Sequence, residues 1–127
     1  SAALTLIMAQ RLARENCSEC SIIDENVTPK LLNAIGFLPE QSARAKIYKG
    51  KGCDQCGNTG FKGRMGIYEI LEIDKELKHG ILSDMSQVEL NAIAKKNGFR
   101  TMQEMGHDLL LSGDLCYSEF ERVLQSN

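Results

Sequence analysis

The chain has 127 residues, of which 43% are hydrophobic and 25% charged, and its formal net charge is -2. This length and composition are typical of one soluble globular domain that can bury a core. The nearly neutral charge excludes a chain-wide polycationic nucleic-acid binder, and no apolar run approaches the roughly 20 residues of a membrane-spanning helix.

The first predicted element is an amphipathic helix over residues 1–16. Its apolar positions recur at helical spacing and are Leu4, Ile7, Met8 and Leu12. The opposite side is polar and carries Gln10, Arg11, Arg14 and Glu15. Because the chain starts with Ser1 instead of methionine, we expect it to be one end of a longer protein.

A short helix and two strands are predicted next. Thr28 is a suitable N-cap because Pro29 can occupy the first helical position, and Gly36 then ends the helix. Residues 45–49 can form a brief strand. Residues 66–73, rich in Ile and Tyr, predict a stronger one. We expect these two strands to pair as a hairpin across the cysteine loop between them.

The remaining segment, residues 74–127, predicts a small helical bundle. Three S/T-x-x-E boxes can each start a helix by reciprocal capping, and they are Ser86 with Glu89, Thr101 with Glu104, and Ser118 with Glu121. Gly98 and Gly113 stand where C-terminal caps belong. The expected fold class is therefore α+β, mainly α, in which residues 17–73 form a cysteine-rich subdomain with a β-hairpin.

Four cysteines form a paired motif, C-x2-C, a gap of 32 residues and a second C-x2-C, at Cys17, Cys20, Cys53 and Cys56. Each pair can direct two sulfurs at one point, and two pairs supply the four thiolates of a structural zinc site. Two disulfides or a redox dithiol are the alternatives. The fifth cysteine, Cys116, is expected to be a small buried residue. If zinc is bound, we expect residues 17–64 to lose their fold without it.

The cysteine loop lies in a basic region. Residues 44–64 carry six basic residues and one acidic residue, a local charge of +5. Such a region indicates an anionic partner or, equally, a solvated loop. The candidate contact residues are Lys49, Lys51, Lys62 and Arg64.

Several motifs together carry a family resemblance. They are Q-R-L-A-R-x-x-C-x-x-C at residues 10–20, I-Y-K-G-K-G-C-D-Q-C-G-N-T-G-F-K-G-R-M-G-I-Y-E-I-L at 47–71, G-x-R-T-x-x-E-x-G at 98–106, and two tail motifs at 111–115 and 118–123. In this order the motifs resemble the C-terminal region of the type II secretion and type IV pilus assembly ATPases. The resemblance covers nearly the whole chain.

The resemblance implies a part of a hexameric cytoplasmic motor. It implies zinc ligation by the four paired cysteines, contacts with neighbouring subunits and an inner-membrane platform protein, and a peripheral place at the inner membrane. Residues 1–16 would join the upstream ATPase core, which would bind ATP and magnesium. The chain has no G-x-x-x-x-G-K-[ST] motif, so we do not expect it to hydrolyse ATP by itself.

Two other functions fit the cysteines. A zinc knuckle with a basic surface can bind nucleic acid, and Tyr48, Phe61 and Tyr68 could stack bases, although the family resemblance makes nucleic acid an unexpected partner. A single C-x-x-C-x-x-x-G unit is also similar to part of a DnaJ-type chaperone knuckle, which predicts binding of unfolded clients. An enzyme in its own right has no supporting constellation of residues.

Overall fold

The computed structural model describes residues 5–125, without the side chain of Thr5, and its elements alternate between strands and short helices. In chain order they are β1 (Thr5–Asn16), β2 (Ser21–Ile23), α1 (Pro29–Ala34), α2 (Pro39–Arg44), β3 (Tyr48–Gly50), a 3-10 turn (Asp54–Cys56), β4 (Phe61–Ile73), α3 (Lys75–Leu82), α4 (Gln87–Lys96), α5 (Met102–Ser112), α6 (Tyr117–Phe120) and a π-helical turn (Glu121–Gln125). The α+β fold class is confirmed. None of these helices has the length and apolar character needed to cross a bilayer.

The helix expected over residues 1–16 is wrong within the described residues, and Leu4 lies outside them. Residues 5–16 form β1, which pairs antiparallel with β4. The strand alternation buries Ala13 and, on β4, Ile67, each 1% exposed, while Leu12 faces outward. The apolar spacing of this segment is therefore compatible with a helix and with a strand. Pairing with the long edge of β4 makes it a strand.

The predicted strand over residues 66–73 is confirmed and begins earlier, at Phe61, but its predicted partner is wrong. β4 pairs with β1, and β3 pairs with β2 instead. The reason lies in the two C-x2-C turns, which come together in space. The strands that enter and leave these turns lie side by side, with β1 against β4 and β2 against β3.

The helix starts are mostly as predicted. Thr28 caps α1 by accepting from the N–H of Leu31. Ser86 caps α4 through its hydroxyl, and Thr101 forms the full reciprocal box of α5. The third start is wrong, because α6 begins at Tyr117 with Cys116 as its N-cap, so that Ser118 lies inside the first turn. Because the helix begins at Tyr117, the residue after Ser118, Glu119, points into the protein. The helix α2 was not predicted.

One core joins the two long strands, the segment around α1 and the C-terminal helices. Its buried members are Ala13, Leu32, Ile35, Phe37, Ile47, Ile67, Leu110, Leu115, Phe120 and Val123. His107 fills a place beside this core between Phe37 and Phe120, and its Nε2 donates to the carbonyl of Ile35 at 2.8 Å. The histidine is thus a packing residue.

The division into 1–16, 17–73 and 74–127 stays a prediction, and the last two residues of the third part lie outside the described residues.

Glu119 fastens the C-terminal segment to β1, and it is only 1% exposed. Its carboxylate accepts from the backbone N of Arg14 at 2.8 Å, from its Nε at 3.2 Å and from its Nη2 at 2.8 Å. Arg122 donates two further bonds, both of 2.7 Å. The Arg122 bonds lower the pKa of Glu119, burial raises it and the Arg14 bonds lower it again, to about 2.

Glu119 should make the free energy of unfolding depend on pH. Its pKa is about 2 in the folded chain against an ordinary value of 4.5, so its contribution is complete above pH 4.5 and is lost as the pH falls toward 2. The shift corresponds to about 3 kcal/mol. We expect urea unfolding of the wild type to show this loss, and Glu119→Gln to lack it and to be less stable near pH 7 by about 3 kcal/mol.

The matched control is Glu121→Gln, which removes an exposed carboxylate two residues away. The wild type and both variants share every other group that titrates at low pH, so the comparison between variants isolates the Glu119 contribution. Equal pH slopes for the two variants would contradict the assignment.

Candidate metal centre

The structure brings all four predicted ligands to one point. The Sγ atoms of Cys17, Cys20, Cys53 and Cys56 all lie within 4.8 Å of one another. The sulfurs of Cys17 and Cys53 are 3.8 Å apart, as are those of Cys20 and Cys56, and the distance between Cys53 and Cys56 is 3.7 Å. These four residues could therefore hold a metal ion.

The spacing of the sulfurs fits a tetrahedral thiolate site. Sulfurs bound about 2.3 Å from one zinc ion stand about 3.8 Å apart at the corners of a tetrahedron. A disulfide instead requires a sulfur separation of about 2.05 Å, and all five cysteines are free thiols. The geometry favours a metal over the disulfide alternative. Binding itself, and zinc as the metal, stay predictions.

Backbone N–H groups surround two of the sulfurs. Gly52 donates to the Sγ of Cys20 at 3.2 Å. The Sγ of Cys56 accepts two such bonds, from Cys53 at 3.3 Å and from Gly60 at 3.2 Å. Donors of this kind stabilise a thiolate and orient it before a metal arrives.

These donors give the paired thiols different acidities. Partial burial raises the pKa of Cys56, but the N–H groups of Cys53 and Gly60 outweigh it and bring the pKa to about 6. Burial raises the pKa of Cys53 to about 11. The hydrogen bond between the two thiols increases the difference between their pKa values. The thiolate of Cys56 is thus ready near neutral pH, and a metal must displace the proton of Cys53 as it binds.

Two glycines let the loop close around the sulfurs. Gly50 ends β3 and Gly60 precedes β4, and a Cβ on either would overlap the backbone of the other. Gly60 also has a φ of +81°, which favours glycine. Its carbonyl accepts from the N–H of Cys17 at 2.9 Å, so this close approach ties the two C-x2-C turns together.

Asn16 fixes the candidate centre to the helical part of the chain. Its backbone N–H donates to the carbonyl of Asp114 at 2.8 Å. Its side-chain Nδ2 donates to the carbonyls of Gly113, at 2.9 Å, and Tyr48, at 3.1 Å. Asn16 is 5% exposed and directly precedes Cys17. Neither Asn16 nor Glu119 was identified from the sequence, since a single Asn or Glu carries no motif.

The predicted contact residues do not form one cluster. Lys49 lies on β3 and is ion-paired with Asp24 at 3.8 Å. Lys51 is exposed in the loop before Cys53, while Lys62 and Arg64 are exposed at alternating positions on one face of β4. Their role in partner contact stays a prediction.

The fifth cysteine and the aromatic residues are engaged elsewhere. Cys116 is buried at the start of α6, 3.2 Å from the hydroxyl of Ser118, and is not one of the four clustered cysteines. Phe61 lies under the guanidinium of Arg14, whose Cζ is 4.2 Å from the ring centre. One face of this ring is therefore occupied by Arg14, while Tyr68 is 41% exposed and the nucleic-acid alternative stays open.

Comparison with known proteins assigns the chain to a family. The family described as Type II/IV secretion system protein matches residues 1–122. The chain belongs to this family. The resemblance drawn from the sequence motifs is therefore confirmed.

Individual relatives come from both branches of the family. The chain is 38% identical to the type IV pilus assembly ATPase PilB of Thermus thermophilus, over 89% of the chain and 13% of the relative. It is 36% identical to PilB of Pseudomonas aeruginosa, over 94% and 21%. It is 28% identical to the type II secretion system protein E of Aeromonas hydrophila, over 100% and 25%. The chain therefore spans a quarter or less of these relatives.

Metal removal should unfold the cysteine loop selectively. We expect the purified chain to hold one metal ion per molecule, and cobalt substitution to give the absorption of a tetrathiolate site. Chelation should lower the free energy of unfolding by several kcal/mol, since a structural metal contributes folding free energy directly. Hydrogen exchange should then show lost protection over residues 17–64 and retained protection in α5.

Cys56→Ser and Cys116→Ala form the matched pair for this experiment. Both remove one thiol, but only the first removes a predicted ligand. The first should lose the tetrathiolate spectrum, and the second should keep it. A chelated chain with unchanged protection over residues 17–64 would show that the metal is not structural.

Asn16→Ala should destabilise the chain by about 1–3 kcal/mol, because it leaves the half-buried carbonyls of Gly113 and Tyr48 without this donor. Asn16→Asp should cost more, since it directs a carboxylate at those carbonyls. The measurement is urea unfolding with metal bound. Asn91→Ala, an exposed change on α4, serves as the control and should have little effect. If the Asn16→Ala and Asn91→Ala variants were equally stable, the proposed role of Asn16 in fixing the candidate centre to the helical part of the chain would be wrong.

Proposed function

We propose that this chain is the zinc-bearing, non-catalytic part of an ATPase that powers type IV pilus assembly or type II secretion. The observation that carries the proposal is the cluster of four sulfurs inside a region of this family. Four thiolates complete the coordination shell of zinc and leave no position for water or substrate. The metal would therefore hold a shape and not perform chemistry.

The whole protein would act as a motor. The relatives are named as pilus assembly ATPases and as a type II secretion protein, and we extend that activity to the parent of this chain. By resemblance the parent would be a hexamer in the cytoplasm, with ATP and magnesium bound in its upstream part. The present chain would pack against that ATPase core and against neighbouring subunits.

The basic residues near the cysteine loop would provide the contact with the machine. Lys51, Lys62 and Arg64 are exposed, and the family resemblance indicates an inner-membrane platform protein as a partner. We propose that they meet an acidic surface of that protein or of the adjacent subunit. Lys49 would contribute less, since Asp24 already neutralises it. The metal would keep the loop and its charges in one orientation.

Charge reversal in the full-length parent tests this contact. The variants are Lys51→Glu, Lys62→Glu and Arg64→Glu, alone and together, with Lys49→Glu as a weaker fourth. We expect the triple variant to lower stimulation of the ATPase by the platform protein about tenfold or more, since like charges across an interface are strongly unfavourable. Metal content should stay unchanged.

Lys75→Glu and Lys78→Glu are the matched controls, because both lysines are exposed on α3, outside the cysteine loop. They should leave stimulation near the wild-type level. Full stimulation and full pilus or secretion output in the triple variant would refute the contact.

A further inference from the structure

An open groove of about 670 Å³ lies along the short strand β2. Its lining comes from β2, from β3 and from the two residues that follow Asp24, and consists of Ser21, Ile22, Ile23, Glu25, Asn26, Tyr48 and Lys49. The two isoleucines are 41% and 46% exposed, so apolar surface is open to solvent here. We call this feature the β2 groove.

One hydrogen-bonding edge of β2 has no partner strand between residues 5 and 125, because β2 pairs with β3 alone. The N–H of Asp24 donates to the carbonyl of Ile47 at 2.8 Å, which continues the β2–β3 register. Alternate residues of a strand direct their backbone groups to opposite sides, so Ser21 and Ile23 direct theirs to the open edge. β2 contains neither proline nor a charged residue, two devices that protect such an edge.

The chain around the β2 groove is acidic. Residues 15–29 carry four acidic residues and no basic one, a local charge of -4. The lysine that lines the groove, Lys49, is already ion-paired with Asp24 at 3.8 Å. Glu25 also lines the groove and makes no ion pair with any residue between 5 and 125. The groove therefore offers a negative charge that the described part of the chain does not compensate.

A second cavity extends this acidic surface. It has a volume of about 390 Å³ and shares Ser21 and Tyr48 with the β2 groove. Glu15 and Asp114 belong to its lining, and neither is ion-paired with a residue of the described chain. Uncompensated carboxylates thus line both cavities, and the apolar open edge of β2 adjoins them.

We propose that the β2 groove binds an extended, basic segment of a partner protein by strand addition. The backbone groups of Ser21 and Ile23 supply the main-chain hydrogen bonds of an added strand, and exposed isoleucines contact its alternate apolar side chains. The carboxylates select lysine or arginine at the flanks of the segment and repel acidic segments. Because β2 is short, the added strand is short too, with about three residues in register.

This site does not depend on the proposed motor contact, whose basic residues Lys51, Lys62 and Arg64 line neither cavity. The test therefore uses the 127-residue chain alone, loaded with metal, at low ionic strength. The probe is a fluorescein-labelled peptide of sequence K-V-T-V-K, and its binding is followed by fluorescence anisotropy. E-V-T-V-E tests the charge preference. A K-V-T-V-K peptide that is N-methylated at two successive residues tests strand addition, because neither of its edges can then pair.

Glu25→Lys should weaken binding of K-V-T-V-K about tenfold or more, since it places like charges across the contact. Glu89→Lys is the matched control, because it reverses an exposed carboxylate on α4 and should bind as the wild type does. Ile23→Pro removes an N–H of the open edge without removing a bond to β3, and it should abolish binding. Ile23→Ala keeps that N–H and should retain part of the affinity. Metal content and melting temperature identify any variant that fails to fold.

Saturable binding of K-V-T-V-K that is lost on N-methylation and weakened by Glu25→Lys supports the proposal. Three results overturn it: no binding at millimolar concentration, equal binding of the acidic or the N-methylated peptide, or wild-type affinity in Glu25→Lys. Self-association of the chain that Ile23→Pro abolishes, with no peptide binding, assigns the groove to a second copy and also overturns it. None of these results bears on the motor contact, which is measured in the parent protein with its platform partner.

Discussion

The meeting of two C-x2-C turns is the constraint on which the rest of this fold depends. The turn at Cys17–Cys20 and the turn at Cys53–Cys56 are separated by 32 residues in sequence, yet their sulfurs lie within 4.8 Å. Thiols have little attraction for one another, and a metal bound to all four would supply free energy that holds the turns together. In this arrangement β1 pairs with β4, and β2 pairs with β3.

The second constraint is the attachment of β1 to the C-terminal segment. Arg11 donates from Nη1 to the carbonyl of Val123 at 2.6 Å, Arg14 binds Glu119, and Asn16 binds the turn between α5 and α6. These bonds join parts of the chain about a hundred residues apart, and most of them are shielded from water. A buried carboxylate between two arginines is costly to desolvate, but it specifies one position for α6 against β1.

Sequence predicted the features that depend on neighbouring residues and missed those that depend on distant ones. The cysteine spacing and the caps at Thr28, Ser86 and Thr101 act within a few residues, and the structure contains them. The first strand has no such local signal, because its apolar spacing also fits a helix and its partner begins more than forty residues later. The start of α6 depends on the burial of Glu119, which depends on Arg14.

The candidate metal centre and the Arg14–Glu119 attachment are linked through adjacent residues at the start of β4, so the order of one affects the other. Gly60 donates its N–H to the sulfur of Cys56 and accepts from Cys17, and the next residue, Phe61, lies under Arg14. Three residues further along β4 stands Arg64. A loop released from its metal would loosen the first residues of β4 and the ring beneath Arg14. A bound metal would thereby help to hold Arg14 in position and, through Glu119, would help to fix α6 against β1.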